Sequence, residues 1–185
     1  MKKIFACIDG SCMTDAVTEA AIWISKRSSH PINFLHALEP PLPQGSDDLT
    51  AIIGLGSQTS LLEQLAKLEQ ERNKVASQHG QLLLDEAMKK AEHAGLTEIE
   101  QQQLSMSLVD ALLEHEDNAR VMIIGRSGKG HYDDFKVLGS HIETLIRQVH
   151  PPVAIVPPQF HEPTNFMLAY DGSESTDKAI TQIIK

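Results

Sequence analysis

The chain has 185 residues, 41% of them hydrophobic and 22% charged, which suffices for one ordinary globular domain and a little more. Its formal net charge of −9 disfavours a general nucleic-acid binder, since phosphate backbones need a basic face, but it still permits a small anionic ligand. The spacing of the two cysteines, Cys7 and Cys12, fits neither a disulfide framework nor a zinc half-site, so a reducing cytoplasm is the predicted location.

The first predicted element is a buried strand at residues 4–8. This run is continuously apolar, as in strands covered on both faces, and it ends at the Asp-Gly-Ser turn of residues 9–11. The run is too short for the core of a signal peptide and far too short to span a bilayer. No membrane association is therefore predicted.

The rest of the first 158 residues alternates between helical and strand patterns. Strands are predicted at residues 32–38, 98–105, 121–124 and 152–157, and helices at residues 14–26, 60–94, 108–116 and from 139 onward. Glutamines make the strand at 98–105 polar, as at a sheet edge. Strands that alternate with helices predict an α/β fold, namely a five-stranded parallel open sheet of Rossmann-like type with helices on both faces.

The predicted helix at residues 60–94 carries an apolar stripe. Its members are Leu61, Leu65, Leu68, Val75, Leu82 and Leu83. Because Arg72, His79 and Glu86 interrupt a coiled-coil pattern, the stripe is predicted to cover the core, and Gly80 is predicted to bend or break the helix. Residues 44–60 ahead of it are predicted to form a variable surface loop, with a lid over a ligand as the alternative.

The end of the chain repeats its beginning. Residues 166–173, FMLAYDGS, match the opening strand and turn of residues 4–11 at an offset of 162, and Thr176 then matches Thr14. The repeat predicts a complete domain at residues 1–158, a linker at 159–164, and the first strand and helix of a truncated second copy at 165–185.

Two turns carry the residues that predict a ligand site. In open α/β sheets, ligands lie beyond the carboxyl ends of the strands, where the strand order reverses. The strand at 4–8 ends at Asp9, and the strand at 121–124 runs into a Gly-Arg-Ser-Gly turn at residues 125–128. If these strands are neighbours, both turns face one crevice. The amides of a helix that starts at residues 139–141 would attract an anion there, and the cations Arg126 and Lys129 would add to this attraction. The spacing excludes a Walker P-loop.

These motifs, in this order, resemble the universal stress protein family. The resemblance rests on the Asp-Gly-Ser turn, the Gly-x-x-Gly turn, the Gly-Ser helix start and the Pro-Val-x-x-Val-Pro last strand, over residues 1 to about 158. It implies binding of ATP or another adenine nucleotide, with or without Mg. The residues that it implies for the site are Asp9, Ala37, Ile124, Gly125, Gly128, Lys129, Gly139, Ser140 and His141.

The resemblance also implies a role for some of these residues. Four of them (Gly125, Gly128, Gly139 and Ser140) would hold ribose and phosphates, Asp9 would lie at the edge of the nucleotide, and the main chain of Ala37 would meet adenine. One departure concerns the loop between Gly128 and Gly139, which has ten residues where the family pattern has nine. That loop includes Asp133 and Asp134, whose charges repel phosphates unless a cation intervenes.

Three functions remain open from the sequence. The first is a nucleotide-binding regulatory protein of the stress response with little turnover. The second is an interaction scaffold without nucleotide, which dimerises, or pairs with a second domain, through the edge of the strand at 152–157. The third is a slow ATPase, for which no paired acid and base is visible. Simpler interpretations also stand: Asp9 could only brace its turn, Cys7 is predicted to be a buried hydrophobe, and His36 a structural or exposed histidine.

Overall fold

The computed structural model describes residues 1–39, 55–128 and 140–184. Within them lie the strands β1 (Lys3–Cys7), β2 (Ile32–Ala37), β3 (Ile99–Leu104), β4 (Ala119–Gly125) and β5 (Val153–Val156). The helices are α1 (Thr14–Ser28), α2 (Leu55–His93), α3 (Leu108–Glu114), α4 (Ser140–Gln148) and α5 (Glu174–Ile184). No helix in the described ranges is long and apolar enough to cross a membrane.

The strands form one parallel sheet in the order β3-β2-β1-β4-β5. The chain leaves β1 through α1 to reach β2 on one side, and after β3 it crosses back to β4 on the other side. The strand order therefore reverses between β1 and β4, which makes this the switch point of the sheet. The predicted five-stranded parallel α/β fold is confirmed.

Both faces of the sheet are covered, as the continuous apolar run of β1 predicted. Ile4, Ala6 and Ile8 belong to a buried cluster with residues of α1 and α2, whereas Phe5 and Cys7 belong to a second cluster with residues of α3 and α4. Because successive side chains of a strand point to opposite faces, a strand covered on both sides needs apolar residues at every position.

The polar strand β3 lies at the edge of the sheet, as its glutamines predicted. Gln101 donates to Oδ1 of Asp85 at 2.9 Å, and Gln103 donates to the carbonyl of Ser77 at 3.2 Å; both acceptors belong to α2. These amides are half-buried, so their hydrogen bonds to the helix satisfy groups that would otherwise weaken the packing.

Helix α2 differs from its prediction in three respects. It is continuous through Gly80 for 39 residues, about 58 Å, and it already begins at Leu55, inside the predicted loop. The remainder of that loop, up to residue 54, lies largely outside the described residues. Of the predicted stripe, Leu83 packs against the core, whereas Leu61, Leu65, Leu68, Val75 and Leu82 are between 37% and 67% exposed. The sheet is instead covered by Gly80, Leu84, Ala87 and Ala91.

The repeated segment at the end of the chain reproduces a turn but not a strand. Gly172 has a φ of 76° and the Ser173 amide donates to Asp171 Oδ1 at 2.9 Å; in the first turn, Gly10 has a φ of 74° and the corresponding bond is also 2.9 Å. Helix α5 follows, but residues 165–171 are not in a strand, and Phe166 and Met167 are 72% and 99% exposed. Among the described residues no strand pairs with this segment, so the predicted strand is not formed here.

Candidate functional site

The two turns singled out in the sequence lie side by side. β1 and β4 pair in parallel up to Ala6 and Ile123, so both chains leave the sheet at its carboxyl edge at the switch point. A Cβ atom placed on Gly128 would lie 3.6 Å from Oδ2 of Asp9, an ordinary van der Waals distance. Residues 119 positions apart in the chain thus lie against each other at the switch point of the sheet.

The amides of the first turn are already occupied by its own side chains. The Gly10 amide donates to Thr14 Oγ1 at 3.0 Å, the Ser11 amide to Asp9 Oδ1 at 2.9 Å, and the Met13 amide to Ser11 Oγ at 3.2 Å. These amides are therefore unavailable to a phosphate. Asp9 braces the turn through Oδ1 and presents Oδ2 to Gly128, so the two interpretations of Asp9 are compatible.

The end of β2 presents main-chain groups to the same crevice. The Ile8 amide donates to the Leu35 carbonyl at 2.8 Å, whereas the Leu38 amide donates to the Leu104 carbonyl of β3 at 2.7 Å. Because the main chain of a strand alternates, Ala37 turns its N–H and C=O in the same direction as Leu35, towards β1. At that height β1 has already ended, since its pairing with β2 stops at Leu35.

The side chain of His36 ends the hydrogen-bond ladder between β1 and β2. Its Nδ1 donates to the Ile8 carbonyl at 2.5 Å, so the side chain takes the acceptor that the Ala37 amide would reach if the ladder continued. The ring is buried and lies against Gly80 of α2. Of the two interpretations of His36, structural or exposed, the structural one fits these contacts. The sequence did not indicate which groups the ring would contact.

The glycines of the second turn differ in what they pack against. A Cβ atom at Gly125 would lie 2.5 Å from Cβ of Met13, so this glycine is required by the close approach of β4 to the start of α1. Gly128, by contrast, faces Asp9 at an ordinary contact distance, so a methyl group would fit there without displacing a neighbour. Ile124 is buried in the core, so only its main chain can face a ligand.

The remaining predicted site residues lie in or after the loop that follows Gly128. Lys129 and Gly139 fall outside the described residues. Ser140 and His141 begin α4, so their amides belong to its unpaired first turn. The Arg126 amide donates to the Val156 carbonyl at 2.9 Å, which ties the turn to β5. Within the described ranges, no group of three or more His, Cys, Asp or Glu side chains could hold a metal ion.

The two cysteines are expected to differ sharply in reactivity. Burial, together with the nearby Asp9 carboxylate, raises the pKa of the Cys7 thiol to about 12, whereas Cys12 is exposed. Since the thiolate is the reactive form, only about one Cys7 in 10⁴ is ionised at pH 8. We expect iodoacetamide to alkylate Cys12 alone in the native protein and both cysteines in denaturant. Native modification of a Cys12→Ser variant would contradict this.

Comparison with known proteins gives a consistent assignment. An open parallel sheet whose strand order reverses at a switch point is the architecture of many α/β binding domains. The model of the universal stress protein family matches residues 1–157, and the chain belongs to this family. A universal stress protein from Synechocystis sp. is 30% identical over 182 residues, which are 97% of this chain but only 63% of that protein.

Solved structures share the fold. A universal stress protein in complex with cAMP is 22% identical, has a TM-score of 0.54, and the match covers 85% of this chain and 98% of the other. A universal stress protein from Archaeoglobus fulgidus in complex with dAMP is 16% identical, has a TM-score of 0.52, and the match covers 84% and 98% of the two chains.

Proposed function

We propose that this protein is a regulator of the stress response that binds ATP or a related adenine nucleotide in the crevice between β1 and β4, with little turnover. The observation that carries the proposal is the 3.6 Å approach of the Gly128 Cβ position to Asp9 Oδ2 across the switch point. Two similar proteins bound to cAMP and dAMP support the choice of an adenine nucleotide.

The groups at the crevice suit the three parts of a nucleotide. The N–H and C=O of Ala37 offer a donor and an acceptor to the edge of adenine. Asp9 Oδ2 suits a ribose hydroxyl, which donates, and not a phosphate, which it repels. Phosphates are left to the amides at the start of α4, at Ser140 and His141, because those of the first turn are occupied.

The second turn and the loop behind it complete the proposed site. Gly128, which has no side chain, would let the main chain of the turn approach the sugar closely, and the main chain of Ile124 and Gly125 would form the floor of the crevice. Lys129 and Gly139 stay predictions from the family pattern, and Mg would offset the acidic residues of the longer loop. Among the described residues Asp9 accepts a hydrogen bond from the Ser11 amide, which fits a binding role with little turnover.

The repeated turn at the end of the chain supplies a matched control for a binding test. Asp9→Asn and Asp171→Asn make the same change in two turns of the same geometry, but only Asp9 faces Gly128. We expect millimolar ATP or AMP to raise the melting temperature of the wild-type protein and of Asp171→Asn. In Asp9→Asn the loss of a charged acceptor weakens binding about 10- to 100-fold.

Each outcome of this test separates the candidate functions. A wild-type protein without a thermal shift at millimolar nucleotide, or an equal loss in both variants, would refute binding in this crevice. Hydrolysis of ATP that disappears in Asp9→Ala would instead establish the slow ATPase.

We also propose that residues 1–158 form a complete domain, 159–164 a linker, and 165–185 the start of a second one. The support is the turn geometry shared by the two Asp-Gly-Ser segments and the greater length of the Synechocystis relative. The two free cysteines of the present chain, Cys7 and Cys12, are what a protein in a reducing cytoplasm would carry, and we propose that location.

A nucleotide-free scaffold is the second candidate, and the edge of β5 favours it. In the part of the chain that the structure describes, β5 pairs with β4 alone, and its Ile155 is 37% exposed. An unpaired apolar edge invites pairing with a second copy or a second domain. If this pairing dominates, a charged substitution at Ile155 abolishes dimers and leaves nucleotide binding unchanged.

A further inference from the structure

The amino-terminal half of α2 extends away from the sheet. We call residues 61–79 of this helix the arm. Up to residue 75, every described side chain of the arm is exposed, and the contacts of α2 with β3 begin only at Ser77. A helix of this length that is surrounded by solvent is only marginally stable by itself. Its exposed apolar side chains therefore indicate that another surface covers them.

The exposed side chains of the arm follow a heptad. Positions 61, 65, 68, 72, 75, 79 and 82 are separated by alternating steps of four and three residues, which places them on one stripe. Five of these seven positions are Leu or Val, and the other two are Arg72 and His79. The stripe is separate from the face on which Gly80, Leu84 and Ala87 meet the sheet, because Leu82 between them is 67% exposed.

The charges of the arm are balanced, unlike those of the whole chain. It contains three acidic residues and three basic ones, whereas the chain has a net charge of −9. The six are Glu63, Lys67, Glu69, Glu71, Arg72 and Lys74. Two arms can therefore approach each other without net repulsion.

We propose that the arm pairs with the arm of a second copy of this chain as a short antiparallel coiled coil. Centred on residue 70, the antiparallel alignment places Leu65 opposite Val75 of the second copy. It places Arg72 opposite Leu68 and His79 opposite Leu61, so that every polar residue of the stripe faces a leucine. This interface is separate from the edge of β5 and from the nucleotide crevice.

Arg72 favours the antiparallel alignment. In a parallel pair, the two Arg72 side chains would share one layer, which sets like charges directly opposite each other. In the antiparallel pair, the aliphatic part of Arg72 packs on the facing leucine while its guanidinium reaches the neighbouring Glu69 and Glu71 of the second copy.

The first test compares two variants of the whole chain that add the same charge. Because the pair is symmetric, Leu65→Glu places a carboxylate opposite Val75 in two layers of the interface. Gln70→Glu adds the same charge on the side of the arm that faces away from the second copy. We expect sedimentation equilibrium to show dimers of the wild-type protein and of Gln70→Glu at about 100 µM, and a dissociation constant about 100-fold higher for Leu65→Glu. Circular dichroism checks that both variants keep their fold.

The second test reads the direction of the pair. In a Cys12→Ser background, Leu65→Cys and Val75→Cys proteins are oxidised separately and as a mixture. The antiparallel arrangement gives disulfide-linked dimers mainly in the mixture, whereas self-crosslinking of Leu65→Cys alone would show a parallel pair and overturn the proposal. A monomeric wild-type protein, or dimers that survive Leu65→Glu and hence use the β5 edge, would overturn it as well.

Discussion

Gly80→Ala is expected to lower the free energy of unfolding by about 2 kcal/mol or more, although alanine is the better helix former by about 1 kcal/mol. The added Cβ would lie 2.3 Å from Cδ2 and 2.6 Å from Nε2 of His36. That ring is buried and holds the Ile8 carbonyl, so it can move only by giving up this hydrogen bond. Urea unfolding of the two proteins measures the difference.

Removal of the His36 ring should reverse the sign of the change in unfolding free energy that Gly80→Ala causes. In a His36→Ala background, the space opposite Gly80 is empty, and Gly80→Ala should stabilise the protein by about 0.5–1 kcal/mol through helix propensity alone. A destabilisation of equal size in both backgrounds would show that contact with His36 is not the cause.

Gly125→Ala is the second substitution with a large expected effect, about 3 kcal/mol of destabilisation. Its Cβ would lie 2.5 Å from Cβ and 2.8 Å from Cγ of Met13, a buried residue that immediately precedes α1. Cβ atoms are fixed by the main chain, so relief requires β4 and the start of α1 to separate. Thermal and denaturant unfolding would both detect this change.

Substitutions of Met13 test whether its contact with residue 125 causes the destabilisation by Gly125→Ala. Met13→Ala keeps the Cβ atom and should leave most of the penalty of Gly125→Ala in place, whereas Met13→Gly should remove most of it. Gly128→Ala is the glycine control, because its nearest contact is 3.6 Å away and its expected effect on stability is about 0.5 kcal/mol or less. Equal losses for the two glycine variants would contradict this account.

The strands and their order could be derived largely from the sequence. Runs such as residues 4–8 are apolar at every position because helices cover both faces, and the glutamines of β3 marked the sheet edge. Proximity of Asp9 to Gly128 also followed, since a reversal of strand order between β1 and β4 brings two distant turns to one crevice.

Partners distant in the chain explain what the sequence did not reveal. Gly80 looked like a helix break, but its reason is His36, which lies 44 positions earlier in the chain. The leucine stripe of α2 indicated an apolar face without indicating that the helix extends beyond the sheet. Likewise, Gly125 and Gly128 have the same role in the motif, yet only the structure shows that the first packs tightly on Met13 and the second lies at an ordinary contact distance from Asp9.

The shared geometry of the two Asp-Gly-Ser turns has a consequence for biosynthesis. One turn is anchored in a buried sheet and the other joins an exposed segment to α5, yet both have the same glycine conformation and the same amide-to-carboxylate bond. The conformation of the turn is thus determined by a few consecutive residues. As a nascent polypeptide leaves the ribosome, each bend can take shape at once and start its helix before any sheet exists to receive it.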